Sequence, residues 1–214
     1  MFDAGHFSKF MKTQKVRYQL AEAVLEAEME AQIDQLKRVG LSTLKTDQQK
    51  LAFWLNVYNG MTNYLIIRNK LKQHMKEIPD FFAANRVEIG GYWMSLDDIE
   101  HGILRRNARK HLPAESPILK WQVDQLDYRI HFALNCGALS CPPIAFYQAD
   151  RIDQQLAMAM DNFVGTEFIV NEVSKTILCS SLFDWYREDF VDVFLNNPRY
   201  EGFQVQLKPY DWSI

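Results

Sequence analysis

Between Leu51 and Ile67 the chain reads L-A-F-W-L-N-V-Y-N-G-M-T-N-Y-L-I-I, a helix-length run that is apolar on nearly every side. A surface helix shows one apolar stripe and one polar face; a helix apolar all round belongs inside. Other chain must wrap around it. Its start is marked by T-D-Q-Q at Thr46 to Gln49, a capping box in which the threonine oxygen and the glutamine side chain satisfy free backbone donors, and the helix should run to about Lys70. One stripe breaks the apolar surface: Asn56, Asn59 and Asn63 fall within about 60° of one another at 100° per residue. Phe53, Val57 and Tyr64 flank it on one side, Leu55 and Ile66 on the other. An unpaired buried amide costs about 1 to 3 kcal/mol. These asparagines therefore either bond the backbone of a neighbouring loop or form the polar wall of a cleft.

The chain has 214 residues, 48% hydrophobic and 13% aromatic, enough for one domain over residues 1–214 with a sizeable core. Residues 1–45 read as a helical extension, with a long helix from about Lys12 to Arg38 that uses Val16, Leu20, Val24, Ala27 and Ala31 and stops at Gly40. Gly90-Gly91 has the form of a hairpin turn. Ser95 can cap a helix from Leu96 to about Arg106, and Asp150 one from Arg151 to about Val164. Arg129 to Asn135 alternates as a strand, Phe168–Val170 and Thr176–Cys179 read as a second hairpin, Ser181 opens another helix, and Phe203–Lys208 reads as a last strand. Hairpins in place of regular strand-helix alternation predict an α+β fold, a helical N-terminal half packed on a mainly antiparallel sheet.

The formal net charge is −3, from 24 basic and 27 acidic residues, so no global field gathers nucleic acid or an anionic membrane. The basic cluster Arg105 to His111 sits where a helix should end, and there it complements the helix dipole. No run of about 18 apolar residues and no basic-then-apolar leader occurs, so a cytoplasmic location is expected. Three cysteines, with no C-x-x-C pair, suit neither a disulfide framework nor a structural zinc site; reduced thiols, no metal and no cofactor are the expectation.

The chemistry-bearing stretch is R-I-H-F-A-L-N-C-G-A-L-S-C-P-P, Arg129 to Pro143. If Ile130, Phe132 and Leu134 face the core, His131, Ala133 and Asn135 share the other face, and the turn at Gly137 presents Cys136 outward. A cysteine is a useful nucleophile only as thiolate, which needs a nearby imidazole, cation or helix N-terminus. His131 and His101 are the available imidazoles. In S-L-D-D-I-E-H-G-I-L-R-R, Asp97, His101 and Arg105 stack at i,i+4 spacing. On helix geometry alone that ridge reads more readily as a surface ion-pair ladder than as groups that set one another's protonation. Cys179, inside T-I-L-C, reads as a buried small hydrophobe.

F-W-L-N-V-Y-N-G, S-L-D-D-I-E-H-G-I-L-R, H-F-A-L-N-C-G-A-L-S-C-P-P and the terminal Y-D-W-S occur in the order of the signature blocks of the family called domain of unknown function 547, which the chain resembles over about Gln48 to Trp212. The family's biochemical role is not established. Its motifs fall here on Asn56, Asn59, Glu100, His101, Arg105, His131, Asn135, Cys136 and Gly137. The resemblance also favours Cys136 over Cys141, because some plant members carry serine at the latter place.

These residues suggest, by analogy, a papain- or transglutaminase-like thiol site for acyl transfer or amide hydrolysis. Cys136 would be the nucleophile and His101 or His131 the general base. Glu100 or an asparagine would orient the imidazole, and Asn56 or the amides of Gly137 and Ala138 would stabilise an oxyanion. Asn59, Arg105, Asn135 and Ser140 complete the candidate binding residues, for an unknown peptide, amide or protein substrate. The rival reading is a noncatalytic peptide- or protein-binding module in which the same residues form a buried polar network. A weaker option gathers Glu100, His101, His131 and Cys136 around a metal.

Overall fold

The apolar helix lies in the core of the fold. The computed structural model describes residues 2–214, and in it α3 (Asp47–Arg68) is buried at every residue from Leu51 to Ile67. The capping box forms as expected: Thr46 Oγ1 accepts from the Gln49 amide at 3.3 Å, and Gln49 Oε1 accepts from the Thr46 amide at 3.2 Å. Preceding helices α1 (Ala4–Gln19) and α2 (Glu26–Lys37) correct the expectation of one helix from Lys12 to Arg38. The break includes Ala21, at φ 58°. It turns α2 so that Met29, Ile33 and Leu36 reach the core, and leaves Val16 and Leu20 exposed; α1 packs along α3 through Phe7 and Met11.

After the one-turn α4 (Phe81–Ala84), strands β1 (Arg86–Ile89) and β2 (Tyr92–Ser95) pair antiparallel around Gly90-Gly91. The expected helix beyond Ser95 is a π-helix, Asp98–Leu104, wider than an α-helix. Its start is a reciprocal cap, with the Asp98 amide donating to Ser95 Oγ and the Ser95 amide to Asp98 Oδ2. Further on come α5 (Ile152–Glu167), β3 (Phe168–Asn171), β4 (Thr176–Ser180), α6 (Leu182–Trp185) and β5 (Gln204–Lys208). The second sheet has the order β3-β4-β5, antiparallel then parallel. The fold is thus α+β, with two antiparallel pairings and one parallel.

Residues 129–135 are not a strand. Tyr128–Phe132 is a 3₁₀ turn started by Asp127, whose carboxylate accepts from the Arg129 amide and grips its guanidinium. The following backbone finds an amide side chain where a strand would find another strand: Asn59 Nδ2 donates to Ala133 O at 3.0 Å and Asn59 Oδ1 accepts from the Asn135 amide at 2.8 Å. The expected sharing of one strand face by His131, Ala133 and Asn135 therefore does not apply. The turn joins two apolar clusters, Ile130 packing with the one around α3 and Phe132 with an aromatic one that includes Phe163, Phe183 and Phe190. No helix among the described residues is long and apolar enough to cross a membrane.

Candidate functional site

The three asparagines are fully or almost fully buried, and they bond backbone. Asn56 clamps Tyr147, donating to its carbonyl and accepting from its amide; Asn59 clamps 133–135; Asn63 Nδ2 donates back to Asn59 O. Asn56 and Asn59 take the expected loop-fastening role, while Asn63 bonds the backbone of its own helix. Asn56 also lines a separate wide groove beside α1, of about 940 Å³. Asn135 continues the fastening, its Oδ1 accepting from the Gly137 amide and its Nδ2 donating to Pro142 O. Gly137, at φ 93°, has no space for a Cβ, which would stand 2.6 Å from Ile66 Cδ1.

Within this fastened loop Cys136 and Cys141 form a disulfide, with Cα atoms 6.2 Å apart. This corrects the expectation of reduced thiols for the pair; the clamped turn holds the two sulfurs together, and a bonded sulfur is no nucleophile. Tyr210 Oη lies 3.4 Å from Cys136 Sγ and 3.2 Å from Cys141 Sγ. The segment after β5 is stitched over this loop. Leu139 and Ser140 amides donate to Ser213 O and Asp211 O, Ser140 Oγ accepts from the Asp211 amide, and the Met75 amide donates to Trp212 O.

The π-helix turns Glu100 and Arg105 inward, so the ridge is not a surface ladder. Glu100 accepts from Tyr58 at 3.0 Å and Tyr186 at 2.5 Å. Burial, with the adjacent Glu100 charge, pushes both tyrosines well above their ordinary pKa. Arg105, almost without exposure, forks onto Asp189 at 2.6 and 3.0 Å and reaches Glu188 at 2.8 Å. Burial pushes the Asp189 carboxyl up, but hydrogen bonds from His131 and Arg105 outweigh it and hold the group at about 2.

The two imidazoles differ in what they can do. A guanidinium only donates, so the 2.9 Å contact from Arg105 Nη1 makes His101 Nδ1 an acceptor; when neutral, that ring carries its proton on Nε2. His131 is the reverse. Its Nε2 lies 2.6 Å from the ionised Asp189 Oδ2 and so carries the proton, which leaves Nδ1 as a lone pair, buried and without a partner. Burial drives the His131 pKa below the ordinary value despite the aspartate. The ring stacks on Tyr186 with centroids 3.8 Å apart.

One cavity of about 190 Å³ collects Glu100, His101, His131 and Cys136, all four candidate catalytic residues. Arg105, Asn59, Asn135, Gly137 and Ser140 lie outside its lining and hold it in place. Aromatic rings form much of the rest, among them Tyr58, Trp185, Tyr186, Tyr210 and Trp212, together with Leu134, Cys141, Pro142 and Leu182 and with Asp97 beside Glu100. Asp189 was not foreseen, since nothing local marks one aspartate of R-E-D-F as special, and Trp185 and Tyr186 likewise carry no local signal. Tyr210 and Trp212 were visible only as part of the terminal Y-D-W-S block.

A model of the family described as "Protein of unknown function, DUF547" matches residues 41–164, more than half of the chain. The chain belongs to the DUF547 family. No curated protein and no solved structure matches it. The DUF547 segment supplies α3, the π-helix, the 3₁₀ turn and the disulfide loop; Asp189 and the rings of Trp185, Tyr186, Tyr210 and Trp212 come from beyond its end.

Proposed function

We propose that the protein is a binding module whose cavity receives a single side chain or terminus of a peptide or protein ligand. The observation that carries this reading is that the groups needed for thiol chemistry are already engaged internally. Cys136 is bonded to Cys141, Glu100 is held by two tyrosines, and His101 Nδ1 is taken by Arg105. A satisfied polar network of this kind rigidifies a recess and fixes its shape. At about 190 Å³ the recess is smaller than the 300 Å³ or more common for whole-ligand sites, which suits recognition of one group of a larger partner.

A second reading is favoured by one observation, the free His131 Nδ1 backed by Asp189 on the same cavity as Cys136. With the disulfide reduced, these residues have the composition of a Cys-His-Asp acyl-transfer or amide-hydrolysing site, with Asp189 in the orienting role first given to Glu100. Alkylation of the reduced protein separates the two. A binding module gives Cys136 a reactivity midpoint at or above the ordinary thiol value of about 8.5, unchanged by His131→Gln. A midpoint below that value, shifted by the same variant, overturns the module reading in favour of the enzyme.

A further inference from the structure

The cavity lining has a marked charge asymmetry. Two carboxylates, Asp97 and Glu100, meet it, and no lysine or arginine does. Arg105 is spent on Asp189 and Glu188, and Lys76, with Nζ 5.1 Å from the centre of the Trp212 ring, is outside the lining. Asp97 has no side-chain hydrogen bond and no ion pair among the described residues, although it is half-buried; burial and the neighbouring Glu100 raise its pKa against the opposing pull of His101. An isolated carboxylate in such a place lacks a cation.

Two independent observations say what kind of cation. His131, 2% exposed, lines the cavity and carries a buried ring nitrogen that is unpartnered and, in its tautomer, an acceptor. Glu100 keeps accepting capacity on each oxygen after its two tyrosine bonds. Asp97, Glu100 and His131, three acceptor-bearing residues lining one recess, match in number the three N–H donors of a primary ammonium, which a quaternary ammonium lacks. The aromatic walls suit both the charge, through their π faces, and an alkyl stem. At about 30 Å³ per water-sized unit, a cavity of about 190 Å³ has room for roughly six such units, and a butylammonium group has five heavy atoms.

We propose that the cavity binds a primary alkylammonium group, such as the end of a lysine side chain on a peptide or protein. This names the ligand class of the binding-module reading and rests on that cavity being the working site. The test uses the full chain with its disulfide intact and follows indole N–H resonances of Trp185 and Trp212, assigned with Trp→Phe variants, during titration with n-butylammonium, butan-1-ol or butanoate. Saturable binding of butylammonium at least tenfold tighter than of butan-1-ol, no binding of butanoate, and a tenfold or greater loss in Asp97→Asn are expected. Equal binding of the alcohol and the amine overturns the ammonium assignment while leaving a ligand cavity standing. Binding of neither overturns both. Circular dichroism of Asp97→Asn checks that it folds; if it does not, the amine-to-alcohol ratio in the unaltered protein decides alone.

Discussion

His131 Nε2 and Asp189 Oδ2 lie 2.6 Å apart across 58 residues of sequence, and the same carboxylate receives the fork of Arg105. Asp189 thus ties the DUF547 segment to the chain beyond it. In Asp189→Asn the buried guanidinium loses the more buried of its two counter-charges, keeping only Glu188. Breaking a buried pair from one side costs about 3 kcal/mol or more, and urea denaturation of the variant should show it. A loss under about 1 kcal/mol would mean that Glu188 suffices for Arg105.

The His131 pKa is lowered on folding, by burial first. The unfolded chain then takes up the proton first as pH falls, so this stability is complete above the ordinary histidine value of about 6.5 and is lost below it. The melting temperature should fall between pH 7 and 5.5, and less steeply in His131→Gln. A second loss is expected between about pH 4 and 2, as the unfolded Asp189 carboxyl and then the folded one, at about 2, protonate.

Reduction of the Cys136–Cys141 disulfide should cost roughly 2 kcal/mol, the chain-entropy figure for a loop so short. In the oxidised protein at neutral pH, iodoacetamide should label nothing without denaturant. Cys179 is fully buried, and burial pushes its thiol up to about 11. Mass spectrometry after labelling reads this directly; a modified Cys136 in unreduced protein would refute the pairing.

Asn59→Ala removes the donor to Ala133 O and the acceptor for the Asn135 amide at once. With both backbone groups left buried, each unpaired at about 1 to 3 kcal/mol, the variant should lose about 3 kcal/mol. Hydrogen exchange at Asn135 should also speed up. Exchange that stays slow would show that some other group holds this backbone.

The sequence was legible where a local rule is strong. The Thr46/Gln49 box, the Gly90-Gly91 hairpin and the hairpin of β3 and β4 each rest on neighbours within a few residues. Failures arose where a distant side chain decides. R-I-H-F-A-L-N alternates like a strand, but Asn59, 74 residues from Ala133, takes the bonds a strand partner would have made. The inward burial of the asparagine stripe followed from its apolar flanks, yet its choice of loop backbone over a cleft depended on the fold. Grouping Glu100, His101, His131 and Cys136 was accessible from the family blocks, whereas Asp189 and the aromatic walls required the tertiary arrangement.

The π-helix has a consequence for chain length. Its closing bond runs from the Arg105 amide to Glu100 O, five residues back, where an α-helix would close after four. Deleting any one residue between Asp98 and Leu104 would let the segment close as an ordinary helix. An α-helix wound through the same residues at full length would instead turn Arg105 by about 100° relative to Glu100 and carry it away from Asp189, with no residue in the ion pair altered. The charged centre of this protein therefore depends on the wider winding of this segment as much as on the identities of its residues.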